Sequence, residues 1–194
     1  LDRHLLALTG KDRPRVAFLP TAGGENPVAI ARFYDVFNRH DARASHLSFF
    51  SPHTADLRGY LLEQDLVYVG GGNTRSMLAL WREWGVDRIL REAWENGVLL
   101  AGRSAGMICW FERGITDSIP GPLTPMACLG WLPGTACPHY DGEVQRRPTF
   151  HRLLAEASVP DGWAADDGAA LVFEDDRMVE AIAERDGARA HRVE

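Results

Sequence analysis

The chain has 194 residues, 45% hydrophobic and 25% charged, which are the proportions of a globular protein able to bury a substantial core. Its net charge of -6 argues against nucleic acid or an anionic membrane surface as a partner. No apolar run reaches the roughly 20 residues that span a bilayer, and the charged start Leu1-Asp2-Arg3-His4 lacks the apolar segment of a secretory signal.

The elements alternate along the chain. A helical stretch opens it with no strand ahead, so an N-terminal strand is expected to be missing before Leu1. Arg15–Leu19 is a short apolar strand closed by Pro20 and Gly23-Gly24. Pro27 then opens a helix whose Ile30, Phe33, Tyr34 and Phe37 follow the i, i+3, i+4, i+7 pattern. A strand is expected over Ala44–Phe50, a short helix over Asp56–Glu63 and a strand over Asp65–Val69 that runs into Gly70-Gly71-Gly72-Asn73-Thr74. Two helices follow. One carries Met77, Leu80, Trp81 and Trp84 on one face, and the other carries Val86, Ile89, Leu90, Ala93 and Trp94 and ends at Gly97. Val98–Ala101 is the next strand, and Ala105–Phe111 is compatible with a helix. Glu112–Pro138 is rich in Gly and Pro and weakly periodic. Pro148–Ala157 reads as a helix, and Gly162–Val193 as short antiparallel strands turning at Asp167-Gly168, Asp175-Asp176 and Asp186-Gly187. The alternation implies a parallel sheet covered on both faces, with ligands at the carboxyl ends of the strands. No repeat or linker divides the chain, so a single domain over 1–194 is expected.

The most informative stretch is Gly102-Arg103-Ser104-Ala105-Gly106, a G-x-S-x-G between a strand and a helix. That context is a nucleophile elbow, a turn that lifts a serine hydroxyl clear of the sheet. A serine needs a base, usually histidine, oriented by a carboxylate. Of seven histidines, His139 stands out, in a loop bounded by Pro138 and Gly142. Glu112, Asp117, Asp141 and Glu143 are all near enough in sequence to orient it. The oxyanion that forms on attack would take the Ala105 N–H, with a second donor from the glycine loop around Gly71 and Gly72. That loop lacks the spacing of a nucleotide phosphate loop. Cys109, Cys128 and Cys137 show no metal-binding spacing and fit a reducing, cytoplasmic setting.

Taken together, Gly70-Gly71-Gly72-Asn73-Thr74, Gly102-Arg103-Ser104-Ala105-Gly106 and Pro138-His139-Tyr140-Asp141-Gly142-Glu143 with Arg146-Arg147 resemble the peptidase E family, the aspartyl dipeptidase and cyanophycinase group of serine peptidases. The resemblance runs from about Val16 to Val193. It implies a three-layer α/β sandwich with a parallel sheet, of the class I glutamine-amidotransferase-like (flavodoxin-like) kind, with a short antiparallel C-terminal addition. It also implies a serine at the elbow where the amidotransferases carry cysteine. Ser104 would be the nucleophile and His139 the base, with oxyanion donors at Gly71, Gly72 and Ala105. The family's acid lies between serine and histidine, which favours Asp117 over Asp141 and Glu143. Glu112 stays open, because cyanophycinase-like members use a glutamate in that interval. Asn73, Thr74, Arg146 and Arg147 are the implied substrate contacts, an arginine fork suiting an aspartyl carboxylate. The expected activity is hydrolysis of short peptides, with N-terminal aspartate as one preference. No metal or cofactor is expected, and a homodimer is one expected assembly. Two rival readings remain: a small α/β-hydrolase esterase using Ser104, Asp167 and His191, and a non-catalytic amidotransferase-like binding domain.

Overall fold

Apolar runs too short to be helices, each followed by an amphipathic helix, favour parallel strands, because a crossover must carry the chain back before the next strand can pair. The computed structural model, which describes residues 1–194, shows two compact units, Asp2–Gly106 and Met107–Glu194, the latter together with Leu1.

The first unit contains α1 (Asp2–Leu8), β1 (Arg15–Leu19), α2 (Pro27–Asn38), β2 (Arg43–His46), α3 (Leu57–Leu62), β3 (Leu66–Val69), α4 (Thr74–Trp84), α5 (Val86–Glu95) and β4 (Leu99–Gly102). Its four strands form one parallel sheet in the order β2-β1-β3-β4. The chain steps one way from β1 to β2, then back past β1 to β3. Right-handed crossovers therefore place α2 on one face and α3, α4 and α5 on the other. On the α2 face, Val16 and Phe18 meet Phe33, Phe37 and Leu66. Phe33 sits among Phe18 and Phe37, its ring centroid 4.8 Å and 4.6 Å from theirs. The fully buried Trp81 of α4 donates its indole N–H to Thr21 Oγ1 at 3.1 Å. Local chemistry fixes the helix ends. Asn26, Asp56 and Asn73 accept backbone N–H bonds at the starts of α2, α3 and α4, with Pro27 in the first turn of α2.

The strand expected over Ala44–Phe50 ends at His46. The Glu25 carboxylate accepts from the backbone N–H groups of Phe49 and Phe50, which removes those donors from the ladder.

The second unit departs further from the sequence reading. The helix after the elbow is a single turn, α6 (Ala105–Ile108), and the chain is already in β5 (Phe111–Thr116) where helix was expected. The carbonyls of Cys109, Trp110 and Phe111 accept from Leu129, Trp131 and Gly130, so they cannot continue a helix. The Gly- and Pro-rich stretch then supplies β6 (Thr124–Ala127) and β7 (Leu132–Cys137), followed by α7 (Arg146–Ala155), β8 (Gly162–Ala165), β9 (Ala169–Glu174), β10 (Arg177–Ala183) and β11 (Ala190–Val193). A five-stranded sheet runs β11-β8-β7-β5-β6, with β7 parallel to both β5 and β8 and antiparallel strands at each edge. The hairpin β9–β10 stands as a separate two-stranded sheet. Ile115, Cys137, Tyr140, Phe150, Leu153 and Ala164 form the core between this sheet and α7.

The aromatic cluster over β1 should carry much of the first unit's stability. Phe33→Ala is expected to cost about 3–5 kcal/mol, read as a fall in the urea unfolding midpoint.

Candidate active site

Ser104 follows β4 directly, and its backbone adopts φ 55°, in the left-handed region that a serine enters only under constraint. The constraint comes from its neighbours. A Cβ on Gly106 would overlap the Val69 carbonyl of β3, and one on Gly102 would lie 2.5 Å from the Gly106 carbonyl oxygen. Only bare backbone lets the strand end, the turn and the next helix come this close. Ala105 is buried behind the turn, while Ser104 keeps partial exposure.

The glycine loop lies against the same turn. A Cβ on Gly71 would sit 3.1 Å from Ser104 Cβ. Gly70 N–H is bonded to Leu19 C=O and Asn73 N–H to Ala22 C=O at 2.7 Å, so Gly71 and Gly72 are the amides between two anchored points. These loops follow β1 and β3, where the strand order reverses, the position at which ligands bind in open parallel sheets. Asn73 and Thr74, expected as substrate contacts, have structural surroundings. Asn73 Oδ1 caps α4 through Ser76 N–H at 2.9 Å, and Thr74 is 1% exposed.

In the second unit His139 lies two residues beyond β7, also with a left-handed backbone, φ 53°. Ser104 and His139 are thus two of six non-glycine residues with positive φ. His139 Nδ1 is 2.6 Å from Asp167 Oδ1. A carboxylate only accepts, so this contact puts the imidazole proton on Nδ1 and leaves the Nε2 lone pair available as a base.

The carboxylate on His139 is therefore Asp167, and Asp117 is not in contact with it. Asp117 lies one residue past β5, its side chain 67% exposed, with its partner Arg146 at 3.8 Å. The other expected acids are also engaged elsewhere. Glu112 accepts from Gly134 N–H at 3.0 Å across the irregularity in the β5–β7 ladder. Glu143 accepts from Arg146 Nε, and Asp141 accepts from Asp167 N–H and Arg185. Sequence reasoning took Asp167-Gly168 only as a turn, or as the acid of the esterase arrangement. The signal that finds it is strand adjacency. In parallel β7 and β8, Cys137 pairs with Ala164, so residues just past each strand, His139 and Asp167, emerge side by side. The esterase assignment is not formed: His191 Nε2 bonds Asp166 Oδ1 at 3.0 Å, and Asp167 is taken by His139.

Arg146 is 2% exposed and acts as a tie. Its Nε donates to Glu143 and its Nη1 to the Ile115 carbonyl at 2.8 Å, joining the start of α7 to β5. Arg147 instead lies over the Tyr140 ring at 4.8 Å. The buried cysteines are chemically quiet: burial raises the Cys109 thiol, and it pushes Cys137 up to about 12, so both stay protonated. Arg146→Met is expected to destabilise the protein by about 1–3 kcal/mol, because it strands the Ile115 carbonyl, whereas Arg147→Met should cost under about 1 kcal/mol. Chemical denaturation of the two variants checks the difference.

Comparison with known proteins follows the same lines. A sequence model described as peptidase family S51 matches residues 1–181. The chain is 53% identical over 193 residues to YgaJ of Bacillus subtilis (strain 168), an uncharacterized peptidase, covering 100% of this chain and 84% of that one. In fold it resembles the crystal structure of a candidate peptidase E protein from Listeria monocytogenes EGD-e, with a TM-score of 0.65 at 18% identity over 98% of this chain and 93% of the other. It also resembles a peptidase from an acI-B1 actinobacterium, with a TM-score of 0.67 at 16% identity over 99% of this chain and 83% of that chain. The elbow, the glycine loop and the histidine loop thus belong to a chain that is a member of peptidase family S51.

Proposed function

We propose that the protein is a serine peptidase that cleaves short peptides, dipeptides foremost, through Ser104, His139 and Asp167. The observation that carries this reading is the left-handed turn of Ser104 within its glycine frame, which sets a partly exposed serine at a strand end beside unobstructed backbone. The His139–Asp167 pair supports it, as does membership of a peptidase family.

In the proposed sequence Ser104 Oγ attacks the scissile carbonyl carbon while His139 Nε2 takes the hydroxyl proton. Asp167 holds Nδ1–H and stabilises the imidazolium as it forms. The carbonyl oxygen becomes an oxyanion held by the N–H of Ala105 and by N–H groups of the Gly71-Gly72 segment, donors whose fixed aim lowers the barrier. The imidazolium returns its proton to the leaving amine, and the C–N bond breaks to give an acyl-enzyme. Water, deprotonated by His139, then attacks the ester carbonyl, and the proton goes back to Ser104 Oγ. Each step uses side chains and main-chain donors of this chain.

Substrate choice is the finer part of the proposal. Arg147 is exposed over Tyr140, whereas Arg146 is committed to the fold, so of the two arginines Arg147 is the one available to a peptide carboxylate. A panel of Asp-Xaa and neutral Xaa-Xaa dipeptides tests the activity and the preference together. Ser104→Ala should lower kcat by about a million-fold. Asp167→Ala should lower it by about ten-thousand-fold, the loss expected when the imidazole is no longer oriented. Asp117→Ala and His191→Ala should leave kcat near that of the wild type. Full turnover by Ser104→Ala, or a loss in Asp117→Ala with none in Asp167→Ala, would contradict the reading.

A further inference from the structure

Asp167 poses a physical problem. Its side chain is 53% exposed, in the short turn between β8 and β9. An exposed carboxylate gains little from one ion pair and has rotamer freedom to lose. Yet orientation of a base is useful only if the carboxylate stays in place.

We propose that Asp141, Gly142 and Arg185 are positioning residues that seat the Asp167 carboxylate on His139, an inference that rests on the catalytic reading of that pair. Asp141 Oδ1 accepts the Asp167 N–H at 2.8 Å. Arg185, two residues past β10, donates from Nε to the Asp167 carbonyl at 2.7 Å and from Nη2 to Asp141 Oδ2. Both the N–H and the C=O of Asp167 are therefore fixed, and the two groups that fix them are bonded to each other. The planar guanidinium matches this two-point demand in a way that a lysine ammonium does not. The ring closes through the chain itself, because Asp141 follows His139 by two residues and the turn is secured by Glu143 N–H on the His139 carbonyl at 3.0 Å. The Asp167 N–H, with Arg185 adding to it, holds the Asp141 carboxyl below the usual carboxylate range, so Asp141 stays charged for this duty.

Gly142 completes the seat by what it lacks. A Cβ there would overlap Asp167 Oδ2, so that oxygen rests against bare backbone while Oδ1 faces the imidazole. Gly142 does not have a positive φ, and alanine suits its backbone. The obstacle to a methyl group is the Asp167 carboxylate.

The test uses the full chain, the variants Gly142→Ala, Asp141→Ala, Arg185→Gln and the Asp141→Ala/Arg185→Gln double, and three controls, His139→Ala, Arg185→Lys and Arg192→Gln. Two quantities are read: steady-state kcat and KM on the dipeptide cleaved best, and the downfield proton resonance of the His139 Nδ1–H, identified by its absence in His139→Ala. Each single variant should lower kcat by about ten- to a hundred-fold with KM changed less than about threefold, and should broaden or erase the resonance. The double should be no worse than the poorer single, because the two residues act as one unit. Arg185→Lys should recover only part of the loss, and Arg192→Gln, which removes an exposed pair with Asp161, should change neither reading.

A Gly142→Ala or Arg185→Gln protein with wild-type kcat and an intact resonance would overturn the proposal, as would effects that simply multiply in the double. Arg185 is half-exposed, so its variant keeps the test open if Gly142→Ala does not fold. The resonance reports on the seat even if Ser104→Ala shows that the peptidase reading itself is wrong.

Discussion

The close approach of bare backbone around Ser104 is the constraint on which the rest depends. Gly102 and Gly106 allow β4 and its following turn to lie on the Val69 carbonyl, and Gly71 lets a neighbouring loop reach the serine. Side chains at these points would hold the loops apart and relax the turn. The serine's left-handed φ is then imposed by packing, at a cost of about 1–3 kcal/mol for such a residue, offset by the sheet on which the turn is built. Strain of this kind persists where surroundings over-determine a conformation, which is a reason to look for chemistry there.

The second unit solves a different problem, that of orienting an imidazole from loops. Two His–Asp pairs sit side by side in it. His191 and Asp166 are the inward pair, with Asp166 8% exposed at its side chain and also accepting from Arg189 N–H. His139 and Asp167 are the outward pair. Adjacent residues at a strand end point to opposite sides, so one aspartate faces the fold while its neighbour meets the His139 ring.

Much of the first unit was legible in the sequence, because each helix carries both its apolar period and its stop signals. Pro27 and Gly97 mark ends that the structure reproduces. The elbow could be read because five residues carry its geometry locally. The second unit was harder. Strands β5 and β7 are buried on most of their length, so they show no alternation, and β7 contains Gly134 in a left-handed turn. The expected helix beyond Ile108 was lost to hydrogen bonds from Leu129, Gly130 and Trp131, far along the chain, which no local pattern reveals. The carboxylate beside His139 was missed for the same reason. Asp117 lay in the interval that the resemblance favoured, but Arg146 is its neighbour, and Asp167 reaches His139 only because β7 and β8 run parallel and adjacent.

The central claim is that Ser104 is an activated nucleophile whose reactivity depends on His139 and Asp167. The most direct measurement is reaction with a fluorophosphonate followed by intact-mass analysis and peptide mapping. The account predicts one adduct per chain, on Ser104, formed rapidly in the wild type and at a strongly reduced rate in His139→Ala and Asp167→Ala. An unmodified Ser104 in the folded wild-type protein, or labelling that proceeds equally well without His139, would contradict it.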